Sequence, residues 1–221
     1  MAILLPKPLR PRTGRGRMLL WACLAALIFG AINAGEPLND FLTDLRATTH
    51  ERPASGDIVL VAIDDPTLKE LGTFPLPRRY YAKMLDNLRQ LGARRVFFDL
   101  TFREKSNPED DAQFEAALRR MGSNAVLPIL TAPDSITGDQ TENFPLAQFS
   151  ERAQLAHINI NYGYSGEVRR LPFQMRLGDE NYPSFAAKLA GVEAGKGQFL
   201  VDYSIDLKTI PRLSGLDVIQ G

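Results

Sequence analysis

Cysteine is almost absent from this chain. The only one in 221 residues is Cys23, within an apolar stretch near the N-terminus. No disulfide can close inside the chain, and no thiolate metal site can form in the rest of it. Histidine is nearly as scarce, with His50 and His157 far apart in sequence, which argues against a two-histidine zinc site. His157 opens a short apolar run and is expected to be a hydrogen-bonded strand residue. There is no phosphate-binding glycine loop of either common type. Ser165 lacks the G-x-S-x-G setting of a serine hydrolase. No internal repeat and no low-complexity tract occurs, and no cofactor is expected.

Net charge is also absent, with 26 basic against 26 acidic residues, but the balance is uneven. Lys7, Arg10, Arg12, Arg15 and Arg17 stand before residue 18 with no acidic residue among them. Setting those five aside leaves 21 basic and 26 acidic residues, a net of −5. A mildly acidic body argues against nucleic-acid binding, which needs a basic face. Hydrophobic content of 44% with 24% charged residues is that of a folded protein and not a disordered one.

Met18 to Ala34 contains no charged side chain and one amide, Asn33. Its length is at the lower limit for a membrane-spanning helix. The basic leader, residues 1–17, predicts a cytoplasmic N-terminus, a transmembrane helix over 18–34, and an extracytoplasmic domain over 35–221. A cleaved signal peptide is the competing reading, and Ile32-Asn33-Ala34 is a poor small-x-small cleavage site. Gly30 and Ala34 are spaced for close helix packing. Leu38, Phe41, Leu42 and Leu45 then follow a helical period after Pro37.

The central stretch is Asp57-Ile58-Val59-Leu60-Val61-Ala62-Ile63-Asp64-Asp65-Pro66. Its short, β-branched apolar run predicts a strand buried on both faces. Asp65 before Pro66 predicts an N-cap with a first-turn proline. The proline loop 73–79 excludes regular helix. A helix carrying Tyr81, Met84, Leu85, Leu88 and Leu91 ends at Gly92. Arg95–Phe102 reads as a second buried strand, reached by a right-handed parallel crossover.

Further along, residues 109–121 predict a helix with its acidic end first, and 124–130 a third strand. Residues 131–148 read mostly as loop, 157–160 as a fourth strand and 161–166 as a turn. Residues 168–177 predict an antiparallel partner strand, on which Arg169 and Arg170 point to opposite faces. A helix over 183–192, a final strand over 198–203 and a loosely ordered tail over 210–218 complete the reading. The fold class expected is α/β: a mixed, mostly parallel sheet flanked by helices and preceded by one transmembrane helix.

Asp64 and Asp99 each follow an apolar strand, and adjacent parallel strands would bring their carboxylates together. Close carboxylates share a proton or hold a cation. Arg78, on a stiff loop, offers a planar fork to an anionic ligand. Against these stands a structural reading, in which Asp65 caps a helix and Asp64 pairs with Arg78 or Arg79. The aromatics Phe74, Tyr80, Tyr81, Phe97 and Phe98 read as core.

Asp64-Asp65-x-Thr67-Leu68-x-x-Leu71-Gly72-x-Phe74-Pro75-x-Pro77-Arg78, followed by Gly92-Ala93 and Phe98-Asp99-Leu100-x-Phe102, resembles the second type of CHASE domain, the cyclase and histidine-kinase associated sensory extracellular domain. The resemblance extends to Asp44-Leu45-Arg46, Asp111, Ala117-Leu118, Val126-Leu127-Pro128, Gly166-x-Val168-Arg169-Arg170 and Pro183-Ser184, about residues 40–220 in all. Phe74 and Leu76 depart from the tryptophans usual in that family's proline loop. Ser165 departs from its acidic residue before the glycine.

The resemblance implies a sensory input domain of a bacterial-type membrane signalling protein, not an enzyme. Such domains usually precede further membrane helices and a cytoplasmic cyclase, diguanylate cyclase or kinase, none of which lies within these residues. The ligand-binding residues expected are Asp64, Asp65, Arg78 and Asp99, with no metal assigned. The partners expected are the membrane, a small ligand or periplasmic protein, and a second copy of the chain. Two other functions remain open: a metal-dependent phosphohydrolase, which needs at least three convergent oxygen ligands, and a ligand-free module dimerising through the membrane helix and residues 36–52.

Overall fold

A computed structural model describes residues 14–31, 35–133, 140–160, 162 and 166–221. It resolves into two compact units. One gathers the described part of Met1–Arg52 with Tyr203–Asp206, and the other holds Pro53–Asp202 with Leu207–Gly221. The first thirteen residues, the end of the apolar stretch at 32–34, and most of the turn expected at 161–166, Ser165 included, lie outside the described residues.

In the first unit, α1 (Gly14–Ala31) buries none of its side chains. It is long and apolar enough to cross a membrane. Helix α2 (Glu36–Thr49) has its proline in the first turn, where a missing N–H costs nothing. Its stripe of Leu38, Phe41, Leu42 and Leu45 is exposed at 50–62%. Arg52, in the short strand β1 (Arg52–Pro53), donates its backbone N–H to Ser204 O at 2.8 Å.

The second unit opens with β2 (Leu60–Ala62), α3 (Asp65–Leu71), α4 (Arg78–Gln90) and β3 (Val96–Phe97). It continues through α5 (Pro108–Met121), β4 (Ala125–Pro133), β5 (Gln140–Asn143), α6 (Ala147–Ser150) and β6 (Gln154–His157). Then come β7 (Arg170–Pro172), β8 (Gln174–Leu177), β9 (Glu180–Pro183), α7 (Phe185–Ala190) and β10 (Gln198–Leu200). The chain returns through β11 (Ile205–Asp206), part of the first unit, to β12 (Arg212–Ser214) and α8 (Gly215–Gln220).

The class is α/β, as the sequence predicts, but the strands form several small sheets. The parallel pairings are β2 with β12, β3 with β4, and β4 with β6. Antiparallel pairs, β4 with β5, β7 with β10, and β8 with β9, lie outside them.

The core sits between the parallel strands and α4, α5, α6 and α8. Tyr81, Phe98, Phe102, Phe114 and Phe149 pack mostly edge to face, with Tyr81 5.6 Å from Phe102 and Phe114 5.2 Å from Phe149. Such geometry adds to area burial because ring edges are positive and faces negative. Leu85, Leu118 and Leu127 are fully buried beside them, each contributing about 1.5–3 kcal/mol by leaving water. Asp86 takes both Nε and Nη2 of Arg120, at 2.8 and 2.6 Å, tying α4 to α5.

Several expectations are corrected. The stretch 57–63 is not buried on both faces: Ile58, Val59 and Leu60 are 48–50% exposed, and of its apolar residues only Val61 and Ile63 pack against the core. Residues 210–218 are not a loose tail. Ser214 caps α8, whose Val218 and Ile219 are buried. Residues 131–148 contain the end of β4 and all of β5, joined through residues 134–139, which lie outside the described set.

The single strand expected over 168–177 breaks into β7 and β8 with different partners. Pro172 has no N–H to continue a ladder, and Phe173 N turns to Gly197 O at 3.1 Å. The fourth strand lies earlier than expected, at 154–157, and runs parallel to β4. Phe74 is 59% exposed and outside the core.

Candidate functional site

Asp64, and not Asp65, is the N-cap of α3. Pro66 occupies the second helical position, so the cap falls one residue earlier than a first-position proline would place it. Asp64 Oδ1 accepts from Thr67 N at 3.2 Å, from the Thr67 hydroxyl at 2.6 Å and from the Ser214 hydroxyl at 2.9 Å. The Thr67 hydroxyl in turn accepts from Leu216 N at 3.0 Å. One carboxylate thus joins the N-termini of α3 and α8 at the ends of the paired strands β2 and β12. The Thr67 hydroxyl is the main reason the Asp64 carboxyl titrates below its ordinary value.

Arg78 pairs with Asp111, and not with Asp64. Its Nη1 donates to Asp111 Oδ1 at 2.6 Å, and its Nη2 to Glu104 O. Asp111 Oδ2 accepts from Ser106 N at 3.1 Å. Both side chains are less than a tenth exposed. The guanidinium lies 5.0 Å from the Phe149 ring centroid and 5.9 Å from that of Phe102, where the negative ring faces stabilise it. Arg79 meets Asp110 at 3.0 Å and lies over Tyr80. Asn107 caps α5 through Glu109 N and Asp110 N. The stiff loop before α4 therefore positions two arginines against the acidic first turn of α5. The planar fork expected to hold an anion holds this turn instead.

Asp65 and Asp99 are exposed. The ladder of β2 runs to β12 and that of β3 runs to β4, so the adjacency expected to bring Asp64 and Asp99 together is not formed by hydrogen-bonded strands. Among the described residues no group of three or more His, Cys, Asp or Glu side chains could hold a metal ion.

Strand β6 carries the residue that the sequence reading left as ordinary. His157 is 1% exposed, and among the described residues neither Nδ1 nor Nε2 has a hydrogen-bond partner. His157 is a strand residue, as expected, paired with Ile129 of β4, and only its ring lacks a bond. Burial alone pulls its basicity down to about 4. Its backbone bridges in parallel to Ser184, the N-cap of α7. Two residues on, Asn159 is saturated: Oδ1 accepts from Thr131 N at 2.8 Å, and Nδ2 reaches Thr131 Oγ1 at 3.0 Å and Met175 Sδ at 2.9 Å. Arg169 lies just before β7 and bonds Glu167, while Arg170 begins the strand and is exposed. Thr131 lies in β4, Asn159 two residues past β6 and Met175 in β8, so no stretch of sequence shows that the three meet.

The model of the CHASE2 domain matches residues 18–220. The match begins further upstream than the motifs quoted from the sequence, and so takes in most of α1. No curated protein and no solved structure matches the chain. With nearly its whole length matched, from the apolar helix to the last turn of α8, the chain belongs to the CHASE2 domain family of sensory extracellular domains in signalling proteins.

Proposed function

We propose that this chain is an extracytoplasmic input domain, anchored by α1 with its N-terminus in the cytoplasm, that reports to a cytoplasmic output through population shift and not through turnover. A ligand or periplasmic partner binds one arrangement better and raises its share. The observation that carries this reading is the single family match over both the apolar helix and the folded unit. The basic leader supports the orientation. Of the four residues singled out in the sequence, Asp65 and Asp99 present exposed carboxylates and are proposed to meet the ligand, while Asp64 and Arg78 hold the frame around them.

The test uses the full chain in detergent. Divalent cations, ammonium compounds and small anions are screened for a rise in Tm, and Asp65→Ala and Asp99→Ala are expected to abolish any rise found. A rise that survives both substitutions moves the site elsewhere. A reporter active only outside the cytoplasm, fused after Gly221, is expected to be active; silence there ends the proposed orientation.

A second reading is favoured by α2. Its stripe of Leu38, Phe41, Leu42 and Leu45, exposed at 50–62%, is a two-turn seam of the kind that pairs helices. A dimer formed there transmits by helix pairing without a small ligand. Cysteines at Leu38 or Leu45 in a Cys23→Ala background then cross-link copies in membranes, and cysteines at Asn39 or Thr43 do not.

A further inference from the structure

We propose that His157 is an acid-operated latch: protonation of its imidazole releases β6 from the N-terminus of α7 and lets α7 and the β8–β9 hairpin part from the β4–β6 sheet.

The joint is built from two neighbouring residues of opposite character. Asn159 ties the end of β6 to Thr131 and Met175 through side-chain hydrogen bonds. His157, two residues earlier and on the same face of the strand, forms the backbone bridge to Ser184 with a ring that bonds nothing among the described residues. Ser184 begins α7, its hydroxyl accepting from Ala187 N at 3.2 Å. One tie is made by side-chain hydrogen bonds, and at the other only the backbone bridges while the side chain packs without a bond.

A neutral imidazole tolerates such enclosure. A cation with two N–H donors does not, because each unpaired donor and the charge itself lose hydration. The elements packed most closely against β6 are β4, β9 and α7. Strand β4 carries no titratable side chain. Strand β9 carries Glu180 and Tyr182, and the Tyr182 hydroxyl donates to that carboxylate at 3.0 Å. Helix α7 carries Lys188, itself a cation, held by Glu193 at 3.0 Å. None of these carboxylates bonds the ring, so the charge gains hydration by opening.

The enclosed ring binds a proton at about pH 4, and a hydrated one near 6.5. Opening is therefore favoured up to tenfold for each pH unit below about 6.5, reaching roughly 150-fold at pH 4. That opening serves as a sensory input rests on the function proposed above. The opening itself does not, and the test reads it alone.

Hydrogen exchange followed by mass spectrometry is measured on the full chain in detergent between pH 7.5 and 4.5, corrected for intrinsic rates. Protection of residues 185–192 is expected to stand below that of β4 and α5 throughout and to fall several-fold to tenfold per unit below pH 6.5. His157→Leu is expected to hold α7 protection level across that range. Should that variant not fold, His157→Asn is measured in its place, and the wild-type imidazole resonance is followed against pH. Unchanged α7 protection at acid pH, α7 amides as well protected as those of β4, the same pH dependence in the variant, or a ring that titrates near 6.5 without exchange in α7 would each overturn the latch.

Discussion

The Ser214 hydroxyl donates to Asp64 Oδ1 at 2.9 Å across 150 positions of sequence, so the first and last strands of the folded unit are fastened through a helix cap. Removing either group strands hydroxyl and amide donors at two helix starts. Ser214→Ala is expected to lower stability by about 1 kcal/mol. Asp64→Ala is expected to lower the urea midpoint further, because three donors lose one acceptor. The double variant is expected to lose less than the sum, since the residues share one network; additive midpoints would show that the two caps act independently.

Asp64 also gives a pH dependence of known sign. Its carboxyl is more acidic folded than unfolded. Its contribution is therefore present above the ordinary carboxylate value and fades as pH falls through the lower folded value. Asp64→Asn is expected to flatten urea-midpoint curves on the acid side of pH 4 and leave the slope near neutrality alone.

Arg78 and Asp111 are buried together, so each is costly alone. Arg78→Met or Asp111→Leu is expected to cost about 3–5 kcal/mol by leaving a buried charge unpaired. The double variant Arg78→Met with Asp111→Leu should recover much of that loss in denaturant titrations. Failure to recover would mean that the Glu104 carbonyl and Ser106 amide, and not the charges, dominate.

His157 predicts loss of global stability in acid. The folded ring stays neutral down to about pH 4 while the unfolded ring charges near 6.5, so stability falls as pH drops through that window. The full loss is about 3 kcal/mol, and His157→Leu is expected to remove this component from the difference between midpoints at pH 7 and pH 4.5.

Gly215 lies where a side chain would be tightly crowded. An added Cβ would stand 3.0 Å from Ala62 O and Met84 Cε and 3.3 Å from Thr67 Oγ1. Gly215→Ala is expected to cost about 1–3 kcal/mol by overpacking and to lower Tm without changing the far-ultraviolet spectrum.

Local signals were legible where a segment decides its own form. The stripe of α4 ending at Gly92, the acid-to-base order of α5 and the period of α2 each arise within a few turns of chain. What escaped depended on partners far away. Ile58 to Leu60 look buried by composition, yet nothing in their own stretch says that only Val61 and Ile63 pack against the core. Leu213, Val218 and Ile219 seem too scattered for an element until β12 finds β2. Asp64 and Arg78 were identifiable as structurally consequential. Their partners, Ser214 and Asp111, lie in segments whose placement only the tertiary arrangement supplies. His157 was passed over because a missing hydrogen bond leaves no trace in sequence.

The pairing of β12 with β2 bears on how this protein comes into being. The ribosome makes β2 well before β12, so β2 waits without its neighbour until nearly all of the residues between them have been added. Closure is a late event governed by a long-range contact, which is slow. A gene boundary drawn near residue 210 would release a species with an open flank, easy prey for proteases and for its own kind.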